Sequence, residues 1–115
     1  MAGRLSPDDF VRMSVEPEWA GFSAITRLEL FGYPDITEEE EGKLEELLIE
    51  FTEVPVGTTV IDDAIKIRRR GRVKVPDAII ASTARVTDSI LMTRNISDFT
   101  DIPDLRCVNP HNGEG

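Results

Sequence analysis

The stretch from Val73 to Phe99, VKVPDAIIASTARVTDSILMTRNISDF, constrains the fold more than any other part of the chain. An apolar helix opens at Pro76 and carries an acid, Asp77, in its first turn. An apolar strand, Ile90–Met92, follows, and then a loop with Asn95 and Asp98. A helix that leads straight into a buried strand belongs to an alternating α/β chain. Such alternation predicts a parallel sheet covered on both faces. Open sheets of this kind bind ligands beyond the carboxyl ends of their strands. The order therefore predicts Asp77, Asn95 and Asp98 at one end of a small sheet.

The rest of the chain alternates in the same way. Ser6, Pro7, Asp8 and Asp9 read as a helix start, and the helix should run to about Val15, ended by Glu16-Pro17. GFSAI (21–25) reads as a strand. Thr26 is expected to cap a short helix, TRLELFGYP, closed by Gly32 and Pro34. Thr37 opens the next helix, with Glu40 placed for a capping box and Leu44, Leu47, Leu48 and Phe51 as its apolar stripe. TEVPV (52–56) reads as an edge strand because of its proline. A helix from Thr58 or Thr59 passes through Ile61, Ala64, Ile65 and Ile67 to Gly71. LRCV (105–108) is the last strand, stopped by Asn109-Pro110. With no repeat or linker, residues 1–115 are expected to form a single domain.

Composition narrows the class. The longest apolar run is too short to span a bilayer, and MAGRLSPDDF has no apolar core of a signal peptide, so no membrane association is expected. A single cysteine, Cys107, leaves no internal disulfide framework and fits the reducing cytoplasm. One thiol and one histidine, His111, argue against zinc and against a Cys-His nucleophile pair. The net charge of -9 argues against a nucleic-acid partner, but its distribution softens this. Six of the thirteen basic residues fall in one run, Lys66, Arg68, Arg69, Arg70, Arg72 and Lys74. That run reads either as a solvated helix face or as an edge that contacts phosphates.

Four polar positions are candidates for chemistry. Glu29 sits between Leu28 and Leu30, where an apolar residue would be the easy choice. Asp77 interacts well with the helix macrodipole, which alone accounts for an acid there at ~0.3–1 kcal/mol. Asn95 and Asp98 are also ordinary turn formers. Converging carboxylates repel, so either one takes up a proton or a cation binds between them. Oxygen-only ligands suit magnesium or manganese. On chemistry alone the leading reaction is metal-assisted phosphodiester hydrolysis. Thr93 and Arg94 are placed to orient a phosphate or a water.

The segments AITRLELFGYP, VPDAIIASTA, ILMTRNISDF and PDLRCVNP, in this order, resemble the PIN-domain family and, within it, VapC-like toxins of bacterial toxin–antitoxin pairs. The resemblance covers about Gly21 to Pro110. It implies a three-layer α/β/α sandwich with a short parallel sheet, and a magnesium- or manganese-dependent endoribonuclease acting on RNA. It also implies a cognate antitoxin and a homodimer. By motif, Glu29, Asp77 and Asp98 resemble the family's metal-ligand acids, and Asn95 shares the TRNxxDF segment with Asp98.

One departure matters. Family members open with a strand bearing a Leu-Asp-Thr-Asn segment whose Asp is a primary metal ligand, and no such segment occurs here. In the family that strand is central, between those that GFSAI and ILMT would form. Its loss would leave two facing edges unpaired and remove about five buried apolar side chains, on the order of 10 kcal/mol. Whole domains are stable by only about 5–15 kcal/mol. The chain is therefore expected to be marginal alone or to pair with another chain across the gap. Two explanations compete: a gene start called too late, or a non-catalytic remnant that still binds an antitoxin-like partner. An unrelated receiver-like signalling domain is a third reading. The absence of any lysine after Lys74 counts against it.

Overall fold

The computed structural model describes residues 20–109. In chain order these form β1 (Gly21–Ser23), α1 (Ala24–Phe31), α2 (Glu38–Leu48), β2 (Thr52–Val54), α3 (Thr58–Arg70) and α4 (Val75–Val86). Strand β3 (Leu91–Met92), one turn of 3-10 helix (Ile96–Phe99) and β4 (Cys107–Val108) complete the order. The alternation read from the sequence is present, with shorter strands. The helix expected from Ser6 to Val15 lies outside the described residues.

Two parallel strand pairs form the sheet. β1 pairs with β2, Phe22 opposite Glu53, and β3 pairs with β4, Leu91 opposite Cys107. Among the described residues no strand pairs with both β1 and β3. Among the described residues the two pairs are therefore not joined to each other.

The core centres on α4. From Asp77 to Ala84 every residue of this helix is buried, so it is wrapped on all sides. Val60, Ala64 and Ile67 of α3 pack on it at helical spacing, together with Leu91, Phe99 and Ile102. A smaller cluster joins Phe22 and Leu48, with Phe51 and Met92 against them. The buried hydroxyl of Thr83 donates to the Ile79 carbonyl at 2.7 Å, which satisfies a polar group inside the helix core.

Helix ends follow local chemistry. Thr37 and Glu40 form the expected capping box, with both bonds at 3.1 Å. Helix α1 begins three residues earlier than expected. Ser23, not Thr26, is its N-cap and accepts from the Ile25 amide at 3.2 Å. Thr26 is instead buried inside the helix. Gly32 closes α1, and a Cβ there would stand 2.6 Å from the Leu28 carbonyl oxygen. At the end of α4 the chain reverses through Asp88 at φ 52°. The Ser89 amide returns to the Ala84 carbonyl and the Asp88 amide to the Arg85 carbonyl, at 2.8 and 3.1 Å. This is a Schellman ending with an aspartate where glycine is usual.

Candidate functional site

Asp77 is placed by the start of α4. Lys74 is the extended N-cap, its carbonyl accepts from the Ala78 amide at 2.8 Å, and Pro76 supplies a preset helical φ. The Asp77 side chain lies in the first turn and the residue is only 4% exposed. A carboxylate there meets the positive end of the helix dipole. An aspartate this buried is unusual, since carboxylates are rarely buried without compensation.

Glu29 lies on α1 and is exposed. With Tyr33, Glu40, Lys43 and Leu44 it lines a cleft of about 420 Å³ between α1 and α2. Thr26 stands three residues before it, which places the two on one side of the helix. The Thr26 hydroxyl is buried and has no hydrogen-bond partner among the described residues. The sequence reading overlooked this group because threonine was assigned to the cap.

Asn95 and Asp98 belong to the turn after β3. Thr93 is fully buried, and its amide donates to the Val108 carbonyl at 2.9 Å. Its hydroxyl accepts from the Asn95 amide at 3.1 Å, so Thr93 shapes the turn rather than presenting a free hydroxyl to a substrate. The Asn95 carbonyl accepts from the Asp98 amide at 3.0 Å, closing the 3-10 turn. Both Asn95 and Asp98 are exposed, while Phe99 is driven into the core and pins the turn there.

Helix α4 gathers these elements: α1, β1 and the 3-10 turn all pack on it. The elements that carry Glu29, Asp77 and Asp98 are therefore neighbours. Their side chains are a separate matter. A divalent ion needs several oxygen donors around one point. Among the described residues no three His, Cys, Asp or Glu side chains form a group that could hold a metal ion. The donor chemistry suits a hard cation, but residues 20–109 do not by themselves complete a cage.

Elsewhere, Arg27 of α1 clamps Glu53 of β2 in a two-pronged ion pair. That hydrogen-bonded carboxylate raises the guanidinium pKa further above its ordinary value. The pair ties α1 across the β1–β2 edge. No described helix is long and apolar enough to cross a membrane.

Comparison with known proteins locates this architecture. A family model described as PIN domain matches residues 14–105. A chain of a toxin–antitoxin complex from Klebsiella pneumoniae is 27% identical, with 88% of this chain and 83% of that one covered at a TM-score of 0.71. VapBC2 from Rickettsia felis, solved with a DNA fragment from its promoter, is 20% identical over 95% of this chain and 98% of that one, at a TM-score of 0.72. VapBC-5 from Mycobacterium tuberculosis is 16% identical over 94% and 98%, at 0.67. At these identities the last two speak to the fold alone. No curated protein matches the chain.

Proposed function

Because the chain belongs to the PIN-domain family, we propose that it is a VapC-type toxin, an endoribonuclease that depends on magnesium or manganese and is held in check by a cognate antitoxin. The observation that carries this reading is Asp77: a carboxylate 4% exposed at the start of the central helix, within the VPDAIIA segment, on an element that touches those bearing Glu29 and Asp98. Solved toxin–antitoxin complexes with the same fold support an antitoxin partner. In this reading Asp77 and Glu29 are the principal acids of the site. Asp98 lies at its rim, and Asn95 sets the turn that presents it. A homodimer in the cytoplasm completes the proposal.

A second reading is favoured by one specific observation. Since no three metal-binding side chains assemble among the described residues, a non-catalytic PIN domain that retains only antitoxin binding also fits. A ribonuclease assay on a labelled RNA pool, run with EDTA, Mg2+ or Mn2+, separates the two. Metal-dependent cleavage that Asp77→Asn abolishes, with the thermal midpoint preserved, supports the toxin. Binding of an antitoxin without cleavage in either metal supports the second reading and overturns the first. Asp77→Asn retains size and removes the charge, and the charge–dipole part of that loss is about 0.3–1 kcal/mol. A collapse in stability would mark Asp77 as a structural cap.

A further inference from the structure

The basic run does not form one surface. Lys66 and Arg70, four residues apart, share a face of α3. With Arg72 and Arg85 they line a cleft of about 430 Å³ at the end of α3, walled on its other side by Asp101 and Ile102. Arg68 and Arg69 instead line a shallower groove with Ile61 and Ile65. Arg68 also donates to the Val73 carbonyl at 2.9 Å, which commits it to the α3–α4 turn.

The cleft has a fixed floor and an uncommitted rim. At the floor Arg85 donates to Asp63 at 2.7 Å and to the Pro103 carbonyl at 3.0 Å. Lys66, Arg70 and Arg72 are exposed, and none of the three has a side-chain hydrogen bond or ion pair among the described residues. Helix-dipole complementarity explains a cation in the last turn of α3. It explains neither Lys66, more than a turn earlier, nor Arg72, beyond the helix. Like charges four residues apart cost a helix ~0.2–0.5 kcal/mol. Three such cations gathered in a concavity of a chain with net charge -9 therefore point to an anion. Arginine forks suit phosphate oxygens in particular.

We propose that this cleft is a subsite for the RNA backbone, with Lys66, Arg70 and Arg72 contacting phosphates beside the scissile position. The proposal rests on the endoribonuclease reading above. Position supports it: Val73 lines the cleft, and four residues of chain reach at most about 14 Å, so Asp77 lies within that distance of the cleft wall.

Binding without metal tests this independently of cleavage. Fluorescence anisotropy of a labelled single-stranded RNA would be followed in EDTA across a salt series. The full chain would be compared with Lys66→Ala/Arg70→Ala/Arg72→Ala and with Arg68→Ala/Arg69→Ala, each checked for folding by circular dichroism. Each phosphate contact contributes about 0.7 to the slope of log affinity against log salt. The triple variant is expected to lower that slope by about 2 and to weaken binding about tenfold or more, while the double variant stays near the parent. Equal losses in both variants, or none in the triple variant, would overturn the subsite while leaving the endoribonuclease reading intact. No RNA binding by the parent chain would overturn both. Displacement of RNA by an oligoglutamate peptide at matched charge concentration would show an acidic-peptide site instead and overturn the RNA assignment.

Discussion

Arg85→Met tests how α3, α4 and the loop after the 3-10 turn are held together. The Arg85–Asp63 pair is a mostly buried one, the side chains 19% and 17% exposed, with Nη2 and Oδ1 2.7 Å apart. Its two members are not equivalent. Asp63 Oδ2 is already buried without a partner among the described residues, so removing Arg85 strands a carboxylate that has lost its one cation. Breaking a fully buried pair from one side costs 3–5 kcal/mol. The remaining exposure lets water screen part of that, which brings the expected loss to about 2 kcal/mol. The Pro103 carbonyl, the other Arg85 partner, is hydrogen-bonded at an exposed position and can turn to solvent. For a domain near this size about 2 kcal/mol lowers the melting midpoint by roughly 8–16 °C. Asp63→Asn should cost only about 1 kcal/mol, since Arg85 retains Pro103 and reaches water. The double variant Asp63→Leu/Arg85→Met removes both charges and should be more stable than Arg85→Met alone. Urea unfolding of the three variants measures all of this in one series. A loss below about 0.5 kcal/mol for Arg85→Met, or a double variant no better than it, would refute the argument from a stranded carboxylate.

Three further outcomes follow from local geometry. Gly32→Ala places its Cβ 2.6 Å from the Leu28 carbonyl oxygen, and the forced shift at the end of α1 should cost about 1–3 kcal/mol in urea unfolding; a neutral substitution would show that the turn relaxes freely. Asp88→Gly relieves a positive φ at an exposed position, where among the described residues the side chain meets Arg106 alone, at 3.4 Å, and should stabilise by about 0.5–1 kcal/mol; any destabilisation in the same assay would contradict the Schellman assignment. Burial raises the Cys107 thiol above its ordinary value, so the pH midpoint of its reaction with a disulfide reagent should lie above about 8.5, that of free cysteine. Because the folded state holds the thiol proton more tightly, this contribution to stability is intact below about pH 8.5 and is lost as pH rises toward the folded value; Cys107→Ala should show no such alkaline loss.

Local signals in the sequence reported helix existence and capping well, and burial poorly. Thr37 with Glu40, Pro76 with Asp77, and Gly71 after a run of arginines each carry their physical cause within a few residues, and each element forms where those residues place it. GFSAI reads as a strand through Ile25, but the strand ends at Ser23, and that early end makes Ser23 rather than Thr26 the N-cap. The 3-10 turn at Ile96–Phe99 carries no strong local signal. It exists because Thr93 is buried and holds the Asn95 amide, and because Phe99 is drawn into the core. Of the apolar residues the sequence offers along α3, Ala64 and Ile67 are buried, together with Val60, whereas Ile61 and Ile65 remain 39% and 42% exposed. A wide apolar stripe does not reveal which of its edges meets the partner helix; the position of α4 does.

The same geometry governs function. A run of cations in sequence becomes two surfaces once wound into a helix, since residues four apart align and adjacent ones diverge. The face with Lys66 and Arg70 turns toward the cleft that Arg72, from beyond the helix, also lines. Asp77, by contrast, needed one further fact. Its place in the first helical turn is legible from Pro76, but its burial follows from α4 being enclosed by α1, α3, β1 and the 3-10 turn. A surface aspartate at a helix start needs no explanation beyond the dipole. One enclosed at the heart of the fold does, because burying a carboxylate costs stability unless its charge is used. That cost is the physical reason to look for chemistry at Asp77.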